Sequence, residues 1–497
     1  MSRYTAITPA DLDAMLDAIG VDSVQEIFER QIPGAVRLDR ALALPDGQPE
    51  QDVFAHLSAL AARNTSAEDE LSFLGAGMYD HYVPALIDML TERSEFLTPY
   101  TPYQPEISQG GLQVMFEYQT AISELTGLPV SNASTYEGPS AVAAAAYLAK
   151  LHNGRSRIVA SAGLHPHTMQ TLRTYAHGYE MDVVEAPLRD GVTDPEAWAA
   201  AIDGDASAAI FAQPNFYGAV EDAAALSAAA KAAGEDAGKA PVVIAQADPI
   251  PLGILASPGE CGVDVCVGEG QPLGNRLDFG GPSFGFFAAR EEYLRRMPGR
   301  IAGETVDVDG RRGFVLTLQT REQHIRREKA TSNICTAQAL NALAGVVYLS
   351  WLGRDGIVEL GELLLARTHY ARERLTAIDG VQKLHEQPVV REFALRLDGD
   401  LDAVRRRCIA RGVNPGVDVH ALSGREQDRG VLLVAITERR SRADIDRLAD
   451  VLAAAISAER SPSGGDRGGD GRPSNGASAN GATANGSAPG AGQAAVA

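Results

Sequence analysis

Apolar residues alternate between two spacings over roughly residues 110–290 of the chain. Helical spacing predicts helices at Leu112–Thr126, Gly138–Leu151, Thr168–His177, Pro195–Ile202 and Asp222–Ala233. Short apolar runs between them predict strands at Arg157–Ala160, Asp182–Glu185, Ala208–Gln213, Pro241–Ala247, Val263–Val267 and Phe284–Ala288. Because these runs lack polar alternation, we expect strands that are buried on both faces. The pattern predicts βαβ crossovers and one parallel or mixed sheet, which is an α/β fold.

The regions on either side of this α/β pattern have other compositions, and the chain is predicted to consist of four segments. Residues 1–109 begin with a helical part, where Thr8 and Pro9 form an N-cap and N1 pair, and end in a strip rich in proline and tyrosine. Residues 110–330 form the large α/β domain. Residues 331–460 contain helices at about Ser332–Trp351 and Ile357–Leu375, then a small α+β domain with strands at Phe393–Leu397 and Val431–Ile436. Residues 461–497 are mostly Gly, Ala, Ser and Asn, which predicts a disordered tail.

Charge and cysteine content exclude several classes of protein. The net charge of −21 argues against nucleic acid or anionic membranes as partners, because both attract a basic face. No long apolar stretch and no signal-peptide pattern are present, so we expect no membrane span and a reduced, cytoplasmic location. Four cysteines without a CxxC pair favour neither a disulfide scaffold nor a structural zinc site.

Lysine is rare in this chain. Only five of the 44 basic residues are lysines: Lys150, Lys231, Lys239, Lys329 and Lys383. A GC-rich genome explains the excess of arginine. The count still limits any lysine-based chemistry to these five positions.

Two segments and one acid point towards a phosphate-bearing cofactor. The first segment, 98–110, has three prolines within seven residues, which predicts either a rigid extended strip or an ordinary linker. The second, Tyr136–Ala141, places a glycine turn before a helix N-terminus, which suits either a phosphate or a plain helix start. Asp248 ends a predicted strand. Together they suggest a pyridoxal-phosphate pocket, but the stretch 263–272, where its lysine belongs, contains none.

Two weaker motifs resemble a dinucleotide-binding loop and a metal-binding pair, but ordinary structural roles explain both. Gly268–Gly274 resembles a dinucleotide fingerprint, but its third glycine is one position late and it does not follow the first strand. His165 and His167 flank a proline without a third ligand nearby, which is typical of loop residues. We therefore expect neither a nicotinamide cofactor nor a metal ion.

Seven stretches carry a specific resemblance to a known family. They are Phe73–Pro84, Tyr100–Gly111, Asn132–Gly138, Gln213–Gly218, Gly268–Gly274, Phe279–Pro282 and Arg321–Cys335. Together they resemble the glycine cleavage P-protein, and most of all the first-subunit branch of its split, two-subunit form. The resemblance covers about residues 1–457 and departs from the family at Asn275–Asp278.

The resemblance implies a fold type I pyridoxal-phosphate architecture with a mixed, mostly parallel seven-stranded sheet. In this family the second subunit carries the Schiff-base lysine, and the matching position here is Gln271. The resemblance therefore implies a vestigial cofactor pocket, with none bound covalently by this chain. Its cofactor-side positions would be Ser134, Tyr136, Gly138, His165, Asp248 and Gln271.

The resemblance also implies partners and a reaction. Pyridoxal 5'-phosphate is expected on the lysine of subunit 2 in an α₂β₂ assembly, which decarboxylates glycine and transfers the aminomethyl group to the lipoyl arm of the H-protein. The expected substrate-channel residues are Tyr100, Thr101, Tyr103, Gln104 and Glu106. The expected interface residues are His324, Arg326 and Thr336.

Two alternatives remain open at this point. One is a scaffold that holds the partner subunit without lining its site. The other is a self-sufficient pyridoxal-phosphate lyase or transferase that uses Lys329.

Overall fold

The computed structural model describes residues 6–38, 40–236, 238–335 and 337–460. Residues up to 65 form one compact unit, and the residues from 66 onward form a second. The first unit contains the helices α1 (Pro9–Ile19), α2 (Val24–Gln31) and α3 (Glu50–Ala61). Thr8 and Asp11 form a reciprocal capping box at α1, with Pro9 at the first helical position, which confirms the N-terminal helix start. The predicted tail, 461–497, lies outside the described residues.

The second unit alternates helices and strands along most of its length. Its α-helices are α4 (Ala85–Thr91), α5 (Ser94–Leu97), α6 (Gln109–Thr126), α7 (Gly138–Asn153), α8 (Pro166–Gly178), α9 (Pro195–Ala201), α10 (Ala223–Asp236), α11 (Gln323–Arg326), α12 (Ala339–Thr376), α13 (Leu401–Ile409), α14 (Val419–Ser423) and α15 (Arg442–Arg460). Its strands are β1 (Leu71–Ser72), β2 (Val130–Ser131), β3 (Arg157–Ser161), β4 (Asp182–Ala186), β5 (Leu188–Arg189), β6 (Val192–Thr193), β7 (Ala206–Gln213), β8 (Val242–Ala247), β9 (Val265–Glu269), β10 (Gly285–Ala289), β11 (Ala302–Val306), β12 (Arg312–Leu316), β13 (Val381–Lys383), β14 (Glu392–Leu397), β15 (Val413–Asn414), β16 (Val417–Asp418) and β17 (Val431–Ala435).

A seven-stranded mixed sheet is the centre of the second unit, with the order β2-β10-β9-β8-β7-β3-β4. The strands from β9 to β4 pair in parallel, and β10 is antiparallel to both β9 and β2. This confirms the prediction of an α/β fold with a mostly parallel sheet. The six strands predicted from the apolar runs are all present, with ends shifted by a few residues.

Both faces of the sheet are covered, which explains why its strands lack polar alternation. All eight residues of β7 are buried. One core joins the sheet to α7 and α8, with Val142 and Leu172 among its residues. The other joins it to α9 and α10 through Trp198 and Leu226. The parallel strands β3, β7, β8 and β9 are therefore buried between two layers of helices, whereas β4, at the edge of the sheet, is only partly buried, against the expectation from its sequence.

A smaller four-stranded antiparallel sheet follows, in the order β13-β14-β17-β16. Its core includes residues from the end of α12, from α13 and from α15, such as Leu375, Val404 and Leu452. This is the α+β domain that the C-terminal pattern predicts.

Three local predictions differ from the structure. The helix expected from Ser332 begins at Ala339, and its non-helical break is at Gly353. The hairpin of β11 and β12 has no counterpart in the prediction, because its exposed and buried residues do not alternate along the strands. The prolines at 102 and 105 stand in turns rather than in an extended strip, since a proline φ also suits a turn.

The order of the strands reverses between β3 and β7, because the chain runs outward to β4 and then returns to the other side of β3. In open α/β sheets, ligand sites lie beyond the carboxyl ends of the strands at such a switch point. Among the described residues, no helix has the length and apolar character needed to cross a membrane.

Candidate functional site

A cavity of about 360 Å³ lies beyond the carboxyl ends of β3, β7, β8 and β9. His165, Asn215, Asp248 and Glu269 reach it from the ends of these strands, and Arg391 reaches it from the small domain. The described residues contain no group of three or more His, Cys, Asp or Glu side chains that could hold a metal ion. The site is therefore defined by its polar side chains and by a helix N-terminus.

Gln271 lies two residues after β9, where the sequence lacks the expected lysine. Its side chain has no exposed surface, and all of its polar groups point into the protein. Its Oε1 accepts a hydrogen bond from the backbone N–H of Tyr79 at 2.9 Å, and its Nε2 donates to the carbonyls of Tyr79 and Asn275 at 3.0 and 2.8 Å. The amide ties two chain segments together and leaves no nucleophile at this position.

The N-terminus of α7 faces the same cavity and binds a carboxylate of the protein itself. The N–H of Gly138 donates to Oε2 of Glu269 at 3.0 Å, and the N–H of Gln271 donates to Oε1 of Glu269 at 3.1 Å. The Ser283 hydroxyl donates to the same Oε1. Burial raises the pKa of Glu269, although these three hydrogen bonds oppose the effect.

A second carboxylate caps the same helix. Oε1 of Glu137 accepts the N–H of Ser140 at 2.9 Å, as an N-cap side chain does. Gly138 permits the close approach of the strand end, because a Cβ at this position would lie 3.0 Å from the backbone nitrogen of Glu269. Two acids thus occupy the orphan N–H groups at the start of α7.

Asp248 follows β8 and is ion-paired. Its Oδ2 lies 2.5 Å from Nε of Arg391, whose side chain is 2% exposed. The Arg391 guanidinium also lies 3.4 Å from the ring centroid of Tyr79 and contacts the ring of His81. The carboxylate of Asp248 therefore already has a cationic partner within the chain.

Glu392 follows Arg391 and begins β14, and its carboxylate holds the segment 76–79 at the cavity. Oε1 accepts the N–H of Ala76 at 2.7 Å, and Oε2 is hydrogen-bonded to the Tyr79 hydroxyl at 2.7 Å. Burial raises the pKa of Glu392 to about 7, against the opposing effects of these hydrogen bonds and of Arg391. Burial first, and then the charge of Glu392, raise the pKa of Tyr79 well above its usual value.

His165 uses both ring nitrogens within the fold. Its Nδ1 accepts the N–H of His167 at 3.0 Å and caps α8, so its Nε2 carries the proton and donates to the Ala76 carbonyl at 3.0 Å. Its ring meets Phe216 edge-on at 4.9 Å. Burial, and then His167, lower the pKa of His165 to about 4, so the ring is neutral at physiological pH.

A second set of predicted residues gathers at the loop before α12, on residues 335–338. The Tyr103 hydroxyl accepts the N–H of Ala337 at 2.7 Å, and the Tyr136 hydroxyl accepts that of Cys335 at 3.1 Å. Oγ of Ser134 accepts the N–H of Gln338 at 3.0 Å. Ser134 and Tyr136 therefore contact this loop, whereas Gly138 contacts Glu269 at the cavity.

The other predicted residues lie away from the cavity. Tyr100 is 98% exposed, and Gln104 and Glu106 are also exposed. Thr101 is half-buried and accepts the Ser108 hydroxyl through its carbonyl. The interface candidates His324 and Arg326 are exposed, and Thr336 lies outside the described residues.

Sequence reasoning missed four residues that define the cavity: Tyr79, Glu269, Arg391 and Glu392. The first two stand inside stretches that carry the resemblance, so their neighbourhood was marked but their roles were not. Arg391 and Glu392 come from the small domain, and no local motif marks them. Only the packing of the two domains brings them to the cavity.

The cavity does not fit pyridoxal phosphate. The chain offers no lysine at 271, and the helix N–H groups that would bind the phosphate already bind Glu269 and Glu137. Asp248, expected to pair with the ring nitrogen, is paired with Arg391 instead.

Known proteins resemble this chain over most of its length. The family model described as "Glycine cleavage system P-protein" matches residues 2–452. The probable glycine dehydrogenase (decarboxylating) subunit 1 of Geotalea uraniireducens is 46% identical over 91% of this chain and 100% of its own length. Its counterpart in Carboxydothermus hydrogenoformans is 45% identical over 90% of this chain and 99% of its own length.

Solved structures agree with this similarity. An inhibitor-bound crystal structure of glycine decarboxylase (P-protein) of the glycine cleavage system matches with a TM-score of 0.82, at 40% identity over 91% of this chain and 100% of that chain. Glutamate decarboxylase of Lactobacillus brevis matches with a TM-score of 0.64 at 14% identity, over 86% of this chain and 97% of that chain, which shows the shared fold alone.

Proposed function

The chain belongs to the glycine cleavage system P-protein family, and from that premise we propose that it is subunit 1 of a two-subunit glycine dehydrogenase (decarboxylating). The observation that carries the proposal is Gln271, a buried and hydrogen-bonded amide at the end of β9. A chain with this family's fold and no lysine at that position needs a partner to supply the reactive amine.

We infer that the partner is subunit 2, in an α₂β₂ assembly, and that pyridoxal phosphate is bound to the partner's lysine. There the cofactor supplies the electron sink for the decarboxylation of glycine. The second substrate would be the lipoylated H-protein, and the complex would work in the cytoplasm. The relatives support a partner through the words "subunit 1" in their names.

This chain would contribute side chains that orient the substrate and exclude water at the partner's site. Tyr100 at 98% exposure, together with the exposed side chains of Gln104 and Glu106, leaves residues 100–106 available for contact with a second chain. Tyr103 anchors this strip by its bond to Ala337. Residues that orient a substrate and exclude water accelerate a reaction without reacting themselves.

The surface that contains His324 and Arg326 is a second candidate contact. Both side chains are exposed, and the short helix α11 that carries them is held by the Arg300–Glu322 ion pair. This pair is buried, with side-chain exposures of 11% and 8%. The interface residues would therefore stand on a fixed support.

The proposal is tested by reconstitution. We expect the purified chain to release no CO₂ from carboxyl-labelled glycine, and subunit 2 with lipoylated H-protein to do so strongly only when this chain is added. Co-purification of the two subunits should accompany the activity. Turnover by this chain alone, or full turnover by subunit 2 alone, would contradict the proposal.

A purely structural scaffold is one alternative, because none of the five channel candidates lines the cavity. Tyr103→Phe removes one hydroxyl that accepts the Ala337 N–H, and Tyr82→Phe, on an exposed side chain outside residues 100–106, is the matched control. If residues 100–106 orient the substrate, Tyr103→Phe lowers kcat in the assembled complex while subunit binding stays unchanged. A scaffold predicts unchanged kcat for both variants.

The self-sufficient alternative rests on Lys329, which is exposed and does not line the cavity among the described residues. Borohydride reduction of the chain with pyridoxal phosphate, followed by peptide mapping, decides it. A stoichiometric adduct on Lys329 that disappears in Lys329→Arg would favour this alternative.

A further inference from the structure

The cavity beyond the sheet is large enough for a small ligand, so its size alone does not keep a cofactor out. Its volume of about 360 Å³ falls within the range of ordinary ligand pockets. The feature that sets this cavity apart is a carboxylate, that of Glu269, which already binds the N–H groups at the start of α7. The N-terminus of a helix attracts anions, because its first N–H groups have no partner within the helix and its dipole favours negative charge.

Glu269 supplies the anion from within the chain. Its two oxygens accept the N–H groups of Gly138 and Gln271 at 3.0 and 3.1 Å, together with the Ser283 hydroxyl. Three donors converge on this one carboxylate, which is the arrangement in which a protein binds a phosphate. Gly138 has no Cβ, and this lets the strand end approach the helix closely.

The remaining charges oppose a second anion. Glu137 caps the same helix through the Ser140 N–H and also lines the cavity. The cationic group of Arg391 is engaged by Asp248. A phosphate entering here would meet the carboxylates of Glu137 and Glu269 and find the N–H donors of Gly138 and Ser140 already in use.

We propose that Glu269 is an internal substitute for phosphate, and that its carboxylate in the α7 cradle bars pyridoxal phosphate from this chain even when residue 271 is a lysine. Loss of the lysine and occupation of the cradle are then two separate barriers. The inference rests on the proposed function only for the identity of the excluded cofactor.

The first experiment uses the full-length chain and inorganic phosphate as the probe. In Glu269→Ala the N–H groups of Gly138 and Gln271 lose their acceptor, and phosphate can replace it. We expect phosphate to raise the melting temperature of this variant and to leave the wild type unchanged. Glu392→Gln is the matched control. It also removes a buried acid from this cavity, but Glu392 is hydrogen-bonded to Ala76 and Tyr79 and not to α7.

The second experiment places a lysine at the cofactor position. Gln271→Lys alone should bind pyridoxal phosphate weakly, and Gln271→Lys with Glu269→Ala should bind it at least about tenfold more tightly. Gln271→Lys with Glu392→Gln should show no gain. Borohydride reduction and peptide mapping confirm the attachment at residue 271, so the result does not depend on subunit 2 or on glycine turnover.

Three results would overturn the inference. They are equal phosphate stabilisation of the wild type and Glu269→Ala, no phosphate effect on a folded Glu269→Ala chain, and equal cofactor affinity with and without the Glu269 change. Glu269→Ser replaces Glu269→Ala in both experiments if circular dichroism shows that the alanine variant is unfolded. The proposed function would fail separately, in the reconstitution with subunit 2.

Discussion

Glu392 makes the stability of the protein depend on pH in a direction opposite to that of an ordinary surface carboxylate. Burial raises its pKa from 4.5 to about 7, while the Ala76 N–H, the Tyr79 hydroxyl and Arg391 oppose the shift and Asp248 adds to it. Between these two pKa values the folded protein binds a proton that the unfolded chain releases. The free energy of unfolding therefore falls as the pH rises through this window.

The magnitude follows from the separation of the two pKa values. The contribution is fully present below about pH 4.5 and is lost as the pH rises through about 7, which corresponds to about 3 kcal/mol in total. About 2 kcal/mol of this change falls between about pH 5.5 and 7, where the protein can be measured without general acid unfolding.

Glu392→Gln reproduces the protonated acid and removes the titration. The amide oxygen can accept the Ala76 N–H, and the amide nitrogen can donate to the Tyr79 hydroxyl, so both contacts of the acid survive. We expect the variant to gain about 2 kcal/mol over the wild type on going from about pH 5.5 to 8. Glu359→Gln, on the exposed face of α12, is the control and should show no such change.

The assay is urea unfolding at a series of pH values, followed by far-UV circular dichroism. The quantity of interest is the difference between the variant and the wild type, because all other titrating groups cancel in it. A difference that stays constant from about pH 5.5 to 8 would refute the argument that burial holds the proton on Glu392.

Three further changes test the packing around the cavity by the same unfolding assay. Arg391→Met should cost about 3 kcal/mol because it leaves Asp248 without its buried cation, and a loss below about 1 kcal/mol would contradict the ion pair. Gln271→Leu should lower the free energy of unfolding by at least about 2 kcal/mol, because the backbone of Tyr79 and the carbonyl of Asn275 lose their hydrogen-bond partners; an unchanged stability would show that the amide is dispensable. Gly218→Ala should fold poorly, because its φ is 84° and a Cβ would lie 2.0 Å from a carbonyl oxygen of β14; a wild-type melting temperature would refute this contact.

The sequence predicts the sheet well, because each buried strand corresponds to a short continuous run of apolar residues. The run at 208–213 is apolar on both faces, and the structure extends this strand to Ala206–Gln213. The gap between the two long predicted helices also reflects a local cause, since Gly353 has a φ of 62° that interrupts α12. The hairpin of β11 and β12 leaves no such trace, because its exposed residues do not alternate.

The site is less predictable, because it depends on contacts between distant segments. The start of α12 is displaced from Ser332 to Ala339 by a loop whose N–H groups are bound by Ser134, Tyr103 and Tyr136. The bond between Gly138 and Glu269 joins residues more than a hundred positions apart. The lack of a lysine at 271 can be seen in the sequence, whereas the contact of Glu269 with the start of α7 cannot.

The central claim is that this chain is one half of an enzyme whose reactive lysine belongs to its partner. The most direct test is to count and map pyridoxal phosphate in a turnover-competent complex of the two subunits after borohydride reduction. We predict one adduct for each pair of subunits, attached to a lysine of the partner. An adduct on any of the five lysines of this chain, or two adducts for each pair, would contradict the account.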